Sequence, residues 1–236
     1  GNMNGFSHQF LHWKKMKAEG KDFKPIFGVE AYFLPSIEEW QEEYDRIKAD
    51  AKLAKTLAKA GDTSGATVED EEASKKAVKS VINRRRHLVL LAQSQTGLNN
   101  LFKLISESYK EENFYRYPRV DYKLLDKYSE GVIASSACLG GPYAGNYWAN
   151  REEGPEAVMD AMRETSRRFV EIFGDRWYGE LQWNNIPEQH ELNQYIIKVC
   201  KEFDITLIST ADSHYPNTEA WKDRELYKRL GWLGKG

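Results

Sequence analysis

The order of elements in this sequence predicts an α/β fold on a parallel sheet, as a barrel in preference to a doubly wound sheet. Three observations carry that expectation. Short apolar runs alternate with segments whose apolar residues recur at helical spacing, and strand–helix–strand order implies parallel strands with right-handed crossovers. No glycine-rich phosphate loop follows the first strand. The length, 236 residues, suits a single barrel core.

Taken in order, residues 5–19 place Phe6, Phe10, Leu11, Trp13 and Met16 at the spacing of an amphipathic helix. Lys24-Pro25 breaks it, and residues 26–33 read as a buried strand. Residues 36–86 differ in kind. A mixed-charge helix over 38–60 is interrupted by Gly61-Asp-Thr-Ser-Gly65 and resumes over 69–85, acidic first and basic last, as the helix dipole prefers. This reads as a helical hairpin inserted into the barrel. Residues 87–92 form the next buried strand, and 96–109 a helix with Leu98, Leu101, Phe102 and Ile105 inward. An aromatic turn (114–118) leads to a short helix capped by Asp121. Strands follow at 131–136, 177–181 and 205–210, separated by helices at 156–173 and 187–203, the latter with proline at a favoured start.

The formal net charge of -2 gives no global field for nucleic acid, so contact with DNA needs a local basic patch. Two cysteines without framework spacing suit a reducing compartment, and a cytoplasmic location is expected. No apolar run approaches the roughly 20 residues of a membrane helix. The opening Gly1-Asn-Met-Asn-Gly5 and the closing Gly234-Lys-Gly236 read as internal to a longer chain.

Several residues at or beside strands could carry chemistry. Asp212 and His214, two apart where the last strand ends, offer oxygen and nitrogen to zinc, manganese or iron, although such a pair also serves loop hydrogen bonding. Glu30, an acid within an apolar strand, needs a cation, an arginine or a metal. His87 reads as core histidine or ligand, at the start of its strand and so away from the C-terminal ends where barrel sites lie. Cys138 stands at a strand-to-helix turn and reads as packing or ligand; Cys200, mid-helix, reads as packing. Glu180 reads as an acid orienting a ligand or pairing with an arginine. Arg84-Arg-Arg86 reads as a solvated face. Arg116 and Arg119, among Phe114, Tyr115 and Tyr117, combine cations with stacking surfaces suited to single-stranded nucleic acid or to internal packing. No role is assigned to His8, His12 or His190.

These stations, in this order, resemble the PHP (polymerase and histidinol phosphatase) domain of bacterial and phage C-family replicative DNA polymerases, the polymerase III alpha branch. The resemblance runs through Gly28-Val-Glu-Ala-Tyr32, residues 87–105, Pro118-Arg-Val-Asp121, Ser135-Ser-Ala-Cys-Leu-Gly-Gly141, Tyr178-Gly-Glu-Leu-Gln182 and Ala211-Asp-Ser-His-Tyr215. It omits residues 36–86, which are longer than the family's usual connection.

The resemblance implies a distorted (β/α)7 barrel with up to three divalent ions, zinc, manganese or iron, at one mouth. It maps ligands onto Glu30, His87, Cys138, Asp212 and His214. In the family a His-x-His and a Thr-Asp-His motif precede the Gly-Asn-Met seen here at residues 1–3, so those ligands and the first strands are expected upstream, leaving this chain's barrel incomplete. The implied activity is metal-dependent phosphoester hydrolysis, either 3′–5′ proofreading or pyrophosphate cleavage, with polymerization in downstream domains. The implied partners are DNA, the palm and thumb domains of the same chain, a proofreading subunit and a sliding clamp, with no membrane. The alternatives are a catalytically silent module bracing the polymerase and docking the proofreading subunit, and a free small-molecule phosphatase.

Overall fold

The computed structural model of the chain describes residues 2–59 and 68–233. Strands β1 (Gly28–Phe33) and β2 (Arg86–Ala92), a two-stranded ribbon of β3 (Phe114–Tyr115) and β4 (Tyr117–Pro118), and then β5 (Val132–Ser135), β6 (Trp177–Gln182) and β7 (Thr206–Thr210) follow in order. The main sheet has the order β1-β2-β5-β6-β7.

The sheet is mixed, which corrects the expected parallel arrangement. β5, β6 and β7 are parallel. β2 runs antiparallel to both β1 and β5. The cause lies in the connections. The chain leaves β1 at Phe33 and re-enters β2 at its register partner Arg86, so it returns at the same end of the sheet with no crossover. Among the described residues the sheet stays open and does not close into a barrel: β7 has one neighbour, and the outer side of β1 meets only a single bridge, Phe33 to Val120.

The described helices in chain order are α1 (Phe6–Ala18), α2 (Ile37–Lys59), α3 (Val68–Asn83), α4 (Gln95–Ser108), α5 (Tyr122–Tyr128), α6 (Pro142–Asn150), α7 (Pro155–Phe173), α8 (Pro187–Glu202) and α9 (Trp221–Leu233). Of these, α4, α6, α7 and α8 pack on the sheet and cover one face. Alternation along the strands sends Val29, Ala31, Phe33, Leu88, Leu90, Ala134 and Trp177 into the core beneath the helices. In α7 the buried Val158, Met159, Met162, Ser166, Phe169 and Phe173 follow the helical period. Trp177 lies flat on Phe169, with centroids 4.1 Å apart and planes 6° from parallel. Its indole N–H donates to the Tyr143 hydroxyl at 3.0 Å, and that hydroxyl meets Ser166 Oγ at 2.7 Å, so the polar atoms of this core are partnered.

Helices α2 and α3 pack on each other around a second, smaller core of Leu34, Ile37, Trp40, Tyr44, Val81 and Ile82. The expected turn at Gly61–Gly65 lies outside the described residues. The arginine run Arg84–Arg86 lies past the end of α3 and opens β2, so it does not form a basic helix terminus.

Other expectations need correction. No residue of α1 is buried; Phe6 instead packs edge-on against Phe27 and Phe102, which draws Phe102 away from the core that Leu101 and Leu104 enter. The strand over 205–210, expected to be buried, is an exposed edge in which Leu207 is 38% accessible. Helix α6 was not anticipated. Its sequence PYAGNYWAN is poor in helix formers, and only the proline at its first turn signals a start.

Asp121 caps α5 as the sequence suggests, accepting from Leu124 N at 3.0 Å, and its second oxygen accepts from Ile37 N at 3.3 Å, at the start of α2. One carboxylate thus serves two helix starts. Asp121→Ala is expected to lower unfolding stability by about 2 kcal/mol, above a single lost cap. Denaturant unfolding would measure it, and a loss below about 0.5 kcal/mol would contradict the double role.

Candidate functional site

The reversal of β2 resolves the position of His87. Because β2 runs against its neighbours, its first residues lie at the same sheet end as the last residues of β1, β5, β6 and β7. Tyr32 pairs with His87 across β1 and β2, and Glu30 lies two residues before Tyr32, on the same face. That face is the one the helices leave open.

His87 Nδ1 is 3.5 Å from Glu30 Oε1 and 3.5 Å from Cys138 Sγ. The loop after β5 is pinned beside it: His87 N donates to Gly140 O at 2.8 Å, and Gly140 N donates to Cys138 Sγ at 3.4 Å. Gly140 packs closely on the imidazole: a Cβ at that position would sit 3.2 Å from His87 Nδ1, so the ring would have to give by a few tenths of an ångström. Burial pushes the Cys138 thiol pKa up, opposed by the Gly140 N–H, while the negative charges of Asp212 and Glu30 raise it further. Asp212 and Glu30 therefore both bear on the thiol, one after β7 and the other on β1, the two outer strands of the sheet.

Two backbone kinks place these residues. Ala137 (φ 56°) and Asp212 (φ 47°) adopt left-handed conformations immediately after β5 and β7. For alanine that conformation costs about 1 kcal/mol, whereas aspartate tolerates it better. The second kink folds His214 back, with its Nδ1 2.7 Å from Asp212 O and 4.0 Å from Asp212 Oδ1.

Glu180 is 5% exposed, with no arginine among its hydrogen-bond partners. Its carboxylate accepts from Ser135 Oγ (2.5 Å), Thr210 Oγ1 (2.5 Å) and Gln182 Nε2 (3.2 Å), and its backbone N–H donates to Ser136 Oγ (2.8 Å). It ties the ends of β5 and β7 to β6, two residues before Asp212 and three before Cys138. Sequence reasoning missed these hydroxyl partners, although Ser135 and Thr210 share the outward face by strand alternation.

The donors fit a divalent ion in kind and in pairs. Ligands on a tetrahedral zinc lie about 3.3–3.8 Å apart, and both contacts of His87 fall in that range. Among the described residues, no three His, Cys, Asp or Glu side chains converge into a group able to hold a metal.

The two arginines considered for nucleic acid part company. Arg116 sits exposed at the β3–β4 turn (φ 59°), its guanidinium 5.9 Å from the Tyr115 ring. Arg119 is fully buried, which leaves it no surface for a strand. It donates to Tyr115 O (2.8 Å), Tyr117 O (3.1 Å) and Ile82 O (2.7 Å) and lies 3.9 Å over Trp40. Burial first, then the neighbouring Arg85, pushes its pKa down to about 10, so it is still charged at neutral pH. Cys200 is buried packing, as its helix position suggests. No described helix is long and apolar enough to cross a membrane.

The α/β sheet carries carboxylate, imidazole and thiol side chains toward one end, and the chain belongs to the PHP domain family, which it matches over residues 1–184. Within that family it is similar to the DNA polymerase III subunit alpha of several bacteria. It is 41% identical to that of Aquifex aeolicus (strain VF5) and 35% identical to that of Borreliella burgdorferi, each over 219 residues. It is 36% identical over 232 residues to that of Helicobacter pylori (strain J99). These matches cover 93%, 93% and 96% of this chain, and 15% of each relative. The chain thus spans about 15% of the length of the curated relatives it matches.

Proposed function

We propose that the chain is the PHP domain of a replicative DNA polymerase and acts in DNA replication as a metal-dependent phosphoesterase on a DNA 3′ end or on pyrophosphate. The observation that carries this reading is the contact of His87, on the reversed strand β2, with both Glu30 and Cys138, at the sheet end where β7 leads to Asp212. Glu30, His87, Cys138, Asp212 and His214 would hold divalent ions, zinc, manganese or iron. When bound, such ions polarize phosphate oxygens and lower the pKa of water.

This chain's own residues set the stage. Glu180 holds the ends of β5, β6 and β7 in register, and Gly140 fixes the His87 backbone. The open face of the sheet admits substrate between β1 and β7. Residues 1–236 form one domain, with the 36–86 excursion as an insertion at its margin. DNA and the polymerase domains of the same chain are its partners in this reading; a proofreading subunit and a clamp are further ones.

A second reading, a silent module that braces the polymerase, draws on the absence of three convergent donors among the described residues. One experiment separates the two. The full chain is stripped with chelator and reloaded with zinc or manganese, and bound metal and release of a 3′-terminal nucleotide are measured. The enzyme reading expects His87→Ala and Asp212→Asn to lower both, hydrolysis by more than about 100-fold, beyond the loss from removing a ligand's supporting partner. Absence of bound metal together with a melting temperature unmoved by chelator would overturn the enzyme reading and leave the module reading standing.

A further inference from the structure

Of the arginine run leading into β2, only Arg84 is exposed, and Arg85 and Arg86 are half-buried. Arg84 is held by Glu43 through two bonds, of 2.5 and 3.0 Å. Arg85 lies over the Tyr117 and Tyr32 rings at 4.0 and 4.9 Å and donates to Asn83 O at 3.0 Å, while its Nε is buried with no acceptor. Arg86 is half-buried, and among the described residues it has neither a hydrogen-bond acceptor nor a carboxylate partner. Its stem lies against α6, where a Cβ on Gly145 would fall 2.3 Å from its Nε. Glycine there lets the arginine side chain approach the helix this closely.

All three arginines line a cavity of about 320 Å³ between the start of α2, the end of β1 and α6. It is on the helix-covered side of the sheet, since Arg86 and His87 are neighbours in a strand and point to opposite faces. The carboxylates of the lining leave Arg86 unanswered: Glu43 is engaged by Arg84, and Glu39 stands exposed on α2. A partly desolvated cation that no protein group neutralizes is costly unless an anion completes it. Ser36, at the start of α2, adds a hydroxyl to the lining, its oxygen already accepting from Glu39 N at 3.2 Å and its O–H open to donate.

We propose that this cavity is a binding site for a small free phosphate-class anion, with Arg86 as its principal ligand and Arg85 and Ser36 beside it. The volume lies at the low end for small-molecule sites, which fits orthophosphate or pyrophosphate and not a polymer. Arginine presents the fork geometry such oxygens require. The site is separate from the one at Glu30, His87 and Asp212, and the inference stands whether or not that site is an esterase.

The test uses the full chain, stripped with chelator so that no metal can recruit phosphate, and calorimetric titration with pyrophosphate and orthophosphate at low ionic strength. A single saturable site is expected. Arg86→Gln should weaken it by more than about tenfold, the worth of a charge-assisted bond. Ala149→Glu, on the exposed side of α6 lining the cavity, should do the same by supplying Arg86 with an internal carboxylate, and it should leave the fold intact by melting temperature. Asp212→Asn should leave binding unchanged, which separates this site from the candidate metal centre. No binding of either anion, binding that survives both Arg86→Gln and Ala149→Glu, or binding that only an oligonucleotide achieves, would overturn the proposal.

Discussion

Replacing Arg119 by alanine is expected to lower stability by about 4 kcal/mol. Three backbone carbonyls, of Ile82, Tyr115 and Tyr117, lose a charged donor at once, the first of them in a buried bond. Trp40 loses the cation that lies 3.9 Å over its ring. Arg119→Lys should recover little, because an ammonium cannot serve diverging carbonyls and stack on an indole together. The change should also be local in character. Ile82 and Trp40 belong to the α2–α3 pair and Arg119 to the body, so proteolysis should nick α2 and α3 first while the sheet core stays protected. Unfolding that is uniformly earlier, with no preferential cleavage there, would contradict the bridging role.

Gly97→Ala should destabilize by about 3 kcal/mol, at the upper end of overpacking. A Cβ at residue 97 would lie 1.7 Å from Gly131 O and 2.4 Å from its carbonyl carbon. The obstacle is backbone, so no rotamer change can relieve it. Gly131 is itself fixed, with φ at 68° and its carbonyl accepting from Gln93 N at 2.9 Å. The start of α4 is thus seated on the entry to β5, with Ser94 capping Gly97 N at 3.1 Å. The same helix start with Ser94→Ala should lose only about 1 kcal/mol, so comparing the two by denaturant unfolding isolates the steric contribution. A Gly97→Ala loss no larger than that of the cap would show that the turn at Gly131 yields.

The elements of the fold were legible in the sequence to the extent that periodicity reports them. Short apolar runs placed Glu30 and His87 in strands, and a helix was expected over 156–173, where Val158, Met162, Phe169 and Phe173 bury one face of α7. Direction was not legible: a half-buried strand reads the same forwards and backwards, so the reversal of β2 came only from where its connections enter. That reversal removed the conflict over His87. Burial of β7 was misjudged because Ile205, Leu207 and Ile208 look alike in sequence, whereas only Ile205 is buried. Arg119 was ambiguous for a similar reason: cations beside aromatic residues serve a nucleic acid or an interior equally well, and what decides is the carbonyl of Ile82, 37 residues away. The partners of Glu180 lie on two other strands, beyond the reach of any local spacing rule.

The pairing of Phe33 with Arg86 has a bearing on how such a chain can change over time. Everything between those partners departs from and rejoins the sheet at one point, so its length leaves the separation of Glu30 and His87 untouched. Doubling a loop costs only about 0.6 kcal/mol of closure entropy. This corner is therefore a port through which descendants can gain or shed whole helices, and into which a foreign module can be grafted, without retuning the chemistry next door.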